Sequence, residues 1–162
     1  MRWLEQMRLN WLEHAVAHLR RAVNGRRGPS QPEHLATGIE GEAAAYFYLR
    51  RKGYTVVARR WGSKHQRGDL DLIAWNGPLL CVVEVKTRTA HDMAAAEVAV
   101  DAHKRTVLRK LARMYVRQLP AKISPPVRFD VLSIYLIPGR AKEFVHFEAA
   151  FGWSERAEYE LR

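Results

Sequence analysis

An Asn-Gly pair between two apolar segments is the feature that most constrains the fold of this chain. Asn76 and Gly77 separate the segments 67–75 and 78–88. Asn-Gly favours a tight two-residue hairpin turn, because both central positions of a type I′ turn require a positive φ. With these two residues as the loop, Trp75 pairs with Pro78. The sequence therefore predicts an antiparallel pair of strands in the middle of the chain.

Four charged residues lie among the hydrophobic residues of this hairpin. Counting back from the turn gives three cross-strand pairs: Asp71 with Val82, Asp69 with Glu84, and Arg67 with Lys86. Cross-strand partners share a face, and so do alternate residues, which gathers Asp69, Asp71, Glu84 and Lys86 in one small area. A bulge of one residue would break this register.

The gathered acids predict a cation site. Asp69 opposite Glu84 places like charges face to face, which destabilises a sheet unless a cation compensates. Clustered carboxylates suit Mg²⁺ or Mn²⁺, which are hard ions that prefer oxygen ligands. The alternative is an exposed face with solvated charges. Leu80 and Val82 share this face and make it largely apolar near the turn, which favours the functional cluster.

The remaining pattern predicts an α/β fold. The expected order is a helix at about 38–52, a strand at 53–61, the hairpin, a helix whose clearest part is 101–119, a strand at 127–137 and a last strand near 143–148. Three consecutive strands suggest an antiparallel meander, and the helix that follows suggests a crossover to a parallel strand. The sequence thus predicts a mixed β-sheet flanked by helices.

An extra N-terminal amphipathic helix precedes this domain. Apolar residues recur at three- and four-residue steps within 1–24, and the glycines and prolines that follow mark 25–37 as a linker. The domain itself is expected at 38–150, with a C-terminal tail at 151–162. The extension could pack on its own domain, dimerise or lie on a membrane. Packing on protein is favoured, because its polar face carries charges of both signs.

The overall charge favours a polyanionic partner. The 162 residues carry a formal net charge of +10, which indicates nucleic acid first and an anionic membrane surface second. The single cysteine, Cys81, excludes an intramolecular disulfide and fits a reducing compartment. No stretch approaches the ~20 apolar residues of a membrane-spanning helix. We therefore expect no membrane span and a cytoplasmic location.

The helix at 101–119 carries a regular series of arginines. Arg105, Arg109, Arg113 and Arg117 are spaced four apart and are expected on the side of the helix opposite its apolar stripe. Like charges at this spacing repel one another, so an anionic partner would relieve them. A solvated basic face with no partner is the alternative.

Glu42 is a further candidate. It lies on the same side of its helix as Ala45 and Leu49, near the N-terminal end. Its position alone is better explained by the helix dipole, which stabilises a glutamate in the first turn.

Four motifs resemble the YraN-like family of small bacterial proteins. They are GEAAAYFYLRRKGY, RRWGSKHQRGDLDLIA, CVVEVKTR and VRFDVL, in this order within about 38–137. That family is similar to archaeal Holliday-junction resolvases, within the PD-(D/E)xK nuclease superfamily. The resemblance implies a restriction-endonuclease-like fold.

The resemblance also implies roles for individual residues. By analogy, Asp71 and Glu84 hold a divalent metal together with the main-chain carbonyl of Val85, and Lys86 assists the attacking water. Glu42 corresponds to a helix glutamate that reaches the metal directly or through a water. Asp69 stands where YraN-like proteins usually have glutamate, so its role is not explained.

These observations lead to an expected function. We expect a nuclease-like protein that uses Mg²⁺ or Mn²⁺ to hydrolyse phosphodiester bonds in DNA, including branched or single-stranded DNA. A non-catalytic nucleic-acid-binding module or adaptor on the same fold is the alternative, and a homodimer is a further expectation. The residues expected to bind nucleic acid are Arg59, Arg60, Lys64, Arg67, Arg88, Lys104, Arg105, Arg109 and Arg113.

Overall fold

The computed structural model describes residues 33–90 and 100–154. Its elements are helix α1 (Glu33–Arg51), strands β1 (Thr55–Ser63), β2 (Gln66–Asn76) and β3 (Leu79–Arg88), helix α2 (Ala102–Arg117), and strands β4 (Val127–Tyr135) and β5 (Glu143–Phe151). This is the expected order of elements. Helix α1 begins at Glu33 rather than near Gly38, so the end of the expected linker is helical. The expected N-terminal helix at 1–24 lies outside the described residues.

The five strands form one mixed sheet in the order β1-β2-β3-β4-β5. Neighbouring strands are antiparallel except for β3 and β4, which run parallel and are joined by α2 as the crossover. The α/β prediction is confirmed: a mixed sheet flanked by two helices, consistent with the restriction-endonuclease-like fold. No helix in these described ranges is long and apolar enough to cross a membrane.

Each face of the sheet is buried under one helix. The face toward α2 forms a core that includes Ile73, Leu80, Val82, Leu108, Leu111 and Phe129. The face toward α1 forms a second core that includes Ala45, Leu49, Leu72, Val83 and Leu132. Successive residues of β3 alternate between the two cores, as the pleat of a strand requires. Two acids of the central strands, Glu84 on β3 and Asp130 on β4, are buried between these layers.

The turn between β2 and β3 differs from the expected one. Asn76 pairs with Leu79, so the loop is Gly77-Pro78, and Gly77 has a φ of 59°. A glycine at the first central position fits a type II′ turn, and Pro78 has the fixed φ that suits the second. The expected pairing of Trp75 with Pro78 is wrong, because proline has no N–H to close that pair.

This turn shifts the register of the hairpin by two residues. Val82 pairs with Ile73 instead of Asp71. Because the shift is an even number, the residues paired in this ladder, 72–76 on β2 and 79–83 on β3, keep the faces that were predicted for them.

Strands β2 and β3 separate at the level of Asp71 and Glu84. Their ladder ends at Leu72–Val83, while β2 continues along β1 to Gln66 and β3 continues along β4 to Arg88. Leu70 and Leu72 belong to different cores, so the alternation of β2 breaks at Asp71. Arg60, between the pairs Arg59–Leu72 and Trp61–Leu70, has a φ of 48°. From Glu84 onward β3 has no partner on β2, and this break in the β2–β3 ladder is called the gap.

Candidate metal and nucleic-acid site

Asp71 lies at the opening between β2 and β3. The backbone N–H of Val85 donates a hydrogen bond to Asp71 Oδ2 at 2.7 Å. The carboxylate thus takes the place that a carbonyl of β2 would hold in a continuing ladder. This bond anchors Asp71 against β3, next to Glu84.

Glu84 is a buried carboxylate with two ammonium partners. Its side chain is 4% exposed, Lys86 Nζ lies 3.0 Å from Oε1, and Lys104 Nζ lies 3.1 Å from Oε2. A buried charge needs such partners, because desolvation is otherwise too costly. Lys86 follows on the same strand, whereas Lys104 comes from the first turn of α2. The site therefore joins the sheet and the crossover helix.

The electrostatics of Asp71 indicate a site with unbalanced negative charge. Burial raises the pKa of Asp71 to about 7, and the neighbouring charges of Glu84 and Asp69 act in the same direction. The hydrogen bond from Val85 and the charge of Lys104 oppose this rise in pKa without cancelling it. A further cation between Asp71 and Glu84 would favour the ionised form of both acids.

The donor atoms of the site fit a magnesium-like ion. Asp71, Glu84 and the Val85 carbonyl are oxygen donors, and Mg²⁺ usually binds one or two carboxylates and keeps several waters. Within 33–90 and 100–154, no group of three or more His, Cys, Asp or Glu side chains could hold a metal, so a closed zinc-type cage is not formed there. Ser133 Oγ is buried without a hydrogen-bond partner in these ranges, and Ser133 pairs with Lys86 in the β3–β4 register. An unsatisfied hydroxyl beside the site is consistent with room for a water or ligand.

Glu42 is bound by an arginine. Arg60 Nη2 donates to Glu42 Oε1 at 2.8 Å, and Arg60 Nε lies 2.8 Å from Oε2. The hydrogen bond and charge of Glu42 raise the pKa of Arg60, to which Asp69 and Asp71 also contribute. Arg60 therefore links Glu42 to the two aspartates. In the described structure Glu42 belongs to the surroundings of the site through this arginine.

Asp69 does not lie opposite Glu84. It pairs with Gly62 on β1 and is half-buried. Its charge nevertheless contributes to the raised pKa values of Asp71, Arg60 and Lys104. The expected pairing of Asp69 with Glu84 is therefore wrong. Asp69 still lies near enough to Asp71 for its charge to act on the Asp71 carboxyl.

Several basic residues predicted to bind nucleic acid lie at the end of the sheet that carries the acids. Lys64 and Arg67 are exposed on and beside the β1–β2 turn, and Arg88 is the last residue of β3. Arg59 is exposed and lies over the Tyr46 ring, with its guanidinium carbon 5.4 Å from the ring centroid. Arg105 is half-buried and follows Lys104 on α2.

The prediction that Arg109 lies on an open basic face is wrong. Arg109 is 7% exposed, its Nε donates to the Gly152 carbonyl at 2.8 Å, and its guanidinium lies over the Phe151 ring. Arg113 is exposed but lies over Trp153, toward the other end of α2. The end of β5 and the residues after it cover this side of α2, which helical spacing could not reveal.

A second polar cluster was missed by the sequence reasoning. Asp130 is fully buried and accepts hydrogen bonds from Arg128 Nε and Nη2 at 2.8 and 2.9 Å and from the Ala149 N–H at 3.0 Å. His146 Nε2 lies 3.0 Å from Asp130 Oδ2. Burial alone would raise the pKa of Asp130, but these bonds outweigh it and lower the pKa. The aspartate within the apolar motif VRFDVL was the available signal.

Comparison with known proteins gives the family of this chain. The model of the uncharacterised protein family UPF0102 matches residues 41–134, more than half of the chain. A UPF0102 protein of Koribacter versatilis (strain Ellin345) is 52% identical over 108 residues, which cover 67% of this chain and 74% of the relative. A UPF0102 protein of Solibacter usitatus (strain Ellin6076) is 44% identical over 121 residues, or 75% of this chain and 89% of the relative. The protein therefore belongs to the uncharacterised family UPF0102, the YraN-like family that its four motifs predicted.

Proposed function

We propose that this protein is a divalent-metal-dependent nuclease that hydrolyses phosphodiester bonds in DNA, including branched or single-stranded DNA. The observation that carries the proposal is the meeting of Asp71 and Glu84 where β2 and β3 separate, with Lys86 on Glu84. Two neighbouring acids supply oxygen ligands for a divalent cation, and the adjacent lysine offers a positive charge to an anionic substrate.

Each of these residues has a role in the proposed hydrolysis. A phosphodiester is anionic, so its hydrolysis requires neutralised charge and an activated water, which a bound Mg²⁺ or Mn²⁺ supplies. Asp71, Glu84 and the Val85 carbonyl would hold the ion. Lys86 would orient the attacking water or stabilise the charge that develops on the phosphate. Glu42, held by Arg60, would act at the edge of this group.

The basic residues around the site would position the nucleic acid. Arg67, Arg88 and Arg105 belong to elements that end or begin near the acids, and Lys64 lies in the turn between β1 and β2. Arginine and lysine contacts to phosphates fix the orientation of a duplex and carry no base sequence information. This favours recognition of the structure of a nucleic acid over recognition of its sequence.

A cleavage assay tests the proposal. Purified protein is incubated with single-stranded, duplex and branched DNA in Mg²⁺, in Mn²⁺ and in chelator. We expect at least one of these substrates to be cleaved in Mg²⁺ or Mn²⁺ and to stay intact in chelator. Asp71→Asn and Glu84→Gln keep the shape of each side chain and should lower the rate roughly 100-fold or more. Glu40→Gln is the control, because Glu40 is an exposed acid paired with Lys142. This variant should cleave DNA like the wild type.

The alternative is a nucleic-acid-binding module with no turnover, which the net charge of +10 favours. Binding that persists in chelator and in both site variants, with no metal-dependent cleavage of any substrate, would overturn the nuclease proposal in favour of this module.

A further inference from the structure

Helix α2 contributes a second lysine to the acidic site. The Asp101 carboxylate accepts a hydrogen bond from the Lys104 N–H at 2.7 Å and caps the helix there. The Lys104 side chain reaches from this first turn to Glu84 Oε2 at 3.1 Å and is 31% exposed. Lys104 therefore lies between the buried carboxylate and the surface.

Two lysines share the two oxygens of one carboxylate. Lys86 Nζ is 3.0 Å from Glu84 Oε1, so both oxygens of Glu84 face an ammonium group. These two positive charges repel each other. Both can stay next to Glu84 only while no other cation binds this carboxylate. A divalent ion held by Asp71 and Glu84 would compete directly for Glu84 with at least one of the lysines.

Lys86 and Lys104 are about equally exposed, at 30% and 31%, and they differ in where their backbones are anchored. Lys86 lies two residues from Glu84 on the same strand, so the sheet keeps its side chain on the same face. Lys104 belongs to a different element, and the four-carbon stem of a lysine lets its ammonium move toward solvent. The N-terminus of α2 also favours an anion near Lys104 through the helix dipole.

We propose that Lys104 takes the place of the divalent cation on Glu84 in the metal-free protein and, once released by the metal, binds a phosphate oxygen of the nucleic-acid backbone. This inference rests on the proposed nuclease site. Lys104 then couples metal binding to nucleic-acid binding. Its ion pair with Glu84 in the metal-free protein is replaced by a contact to a phosphate of the substrate. Its positive charge suits both carboxylate and phosphate oxygens.

The first test measures metal binding without nucleic acid. Mn²⁺ is titrated calorimetrically into wild type and Lys104→Met at pH 8. We expect Lys104→Met to bind Mn²⁺ roughly threefold to tenfold more tightly, because an ion pair no longer competes. Lys110→Met, an exposed lysine of the same helix, is the matched control and should bind like wild type. Unchanged or weaker binding by Lys104→Met overturns the inference.

The second test measures DNA affinity in chelator and in Mn²⁺, at times before cleavage is detectable. Lys104→Met should bind DNA like wild type in chelator, where Lys104 is held by Glu84, and several-fold more weakly than wild type in Mn²⁺. An equal loss in both conditions, or no loss in either, contradicts the exchange. Urea unfolding of both lysine variants establishes that each is folded.

The outcomes separate this inference from the proposed function. If wild type does not bind Mn²⁺, or binds it equally well as Asp71→Asn, the metal site itself fails and the inference fails with it. If wild type binds Mn²⁺ through Asp71 and Lys104→Met binds no more tightly, only the role of Lys104 is overturned.

Discussion

The buried aspartates of this protein differ in how their charge is balanced. Asp130 receives bonds from Arg128 and from the Ala149 N–H, with His146 beside it, and its pKa is lowered. Asp71 has one backbone donor and a negative neighbour in Glu84, and burial raises its pKa to about 7. A satisfied carboxylate stabilises a fold, whereas an unsatisfied one marks a place for a further ligand. The contrast supports a structural role for Asp130 and a functional role for Asp71.

Asp130 should make stability depend on acid pH. A lowered pKa in the folded state gives stability that is fully present above the ordinary pKa of an aspartate, about 3.9, and is lost as pH falls through the folded pKa. Asp130→Asn should therefore lower the free energy of unfolding at pH 7 by about 3 kcal/mol, because Arg128 is left without its buried partner. The difference from wild type should shrink below pH 4.

Urea unfolding between pH 3 and pH 7 measures this difference. The control Glu40→Gln removes an exposed pair with Lys142 and should change stability by less than about 1 kcal/mol. A constant difference between Asp130→Asn and wild type over this pH range would contradict the role of the charge.

The sequence predicted that Asp71 and Glu84 lie close together, but it did not predict the strand pairing around them. Asp71 and Glu84 share a region in the structure because the even shift of register keeps the faces of the paired residues that precede them, and because the Val85 N–H holds Asp71 beside β3. The gap after Val83 was not foreseen, because the alternation of residues along β2 and β3 does not indicate where their pairing ends. An aspartate in the apolar motif VRFDVL was the one signal for the Asp130 cluster, and local pattern does not give its partners, such as Ala149, which lies 19 positions away on β5.

Helix α1 lies close to β3 at Gly41, one residue before Glu42. A Cβ built on Gly41 would overlap the Thr87 hydroxyl and come within 2.9 Å of Thr87 Cβ and Cγ2. Thr87 is β-branched and stiff, so it cannot turn all of these atoms away. Gly41→Ala should therefore push α1 off the sheet and lower the free energy of unfolding by about 1–2 kcal/mol, despite the better helix propensity of alanine.

Gly38 gives a matched control for this effect on the same helix. A Cβ built on Gly38 meets no atom within 4 Å, so Gly38→Ala should stabilise the protein by about 0.5–1 kcal/mol through helix propensity alone. The double variant Gly41→Ala/Thr87→Ala should recover part of the loss. Equal effects of the two glycine substitutions in urea unfolding would show that close packing of α1 on β3 does not matter.

Helix α2 shows the limit of reasoning from helical spacing. Its apolar stripe and its arginine series were both read from the sequence, and the apolar residues Leu108 and Leu111 are buried as expected. Arg109 is also buried, since Phe151 and Gly152 pack against it from the end of β5. The sequence of a helix gives its polar side, but which strand covers that side depends on the order of the whole sheet.

In the described part of the chain, basic residues lie at both ends of the sheet. Lys64 and Arg67 lie near the β1–β2 turn, at the end of β2 that carries Asp69 and Asp71. Lys122 lies in the connection from α2 to β4, and Val127 at the start of β4 pairs with Leu80, at the end of β3 remote from Lys86. If the substrate binds over the acids, the charges of these two ends should contribute unequally to nucleic-acid affinity.

The salt dependence of DNA binding tests this division of charge. Each phosphate contact contributes about 0.9 to the slope of log K against log salt concentration. Lys64→Ala and Arg67→Ala should each weaken binding roughly threefold to tenfold and reduce this slope by about one, whereas Lys122→Ala should change neither.

Arg109→Met should leave the slope unchanged and lower the free energy of unfolding by about 1–3 kcal/mol, because it loses its bond to Gly152 and its contact with Phe151. A reduced slope with unchanged stability for Arg109→Met, or a reduced slope for Lys122→Ala, would place the nucleic acid along α2 and away from the acidic gap.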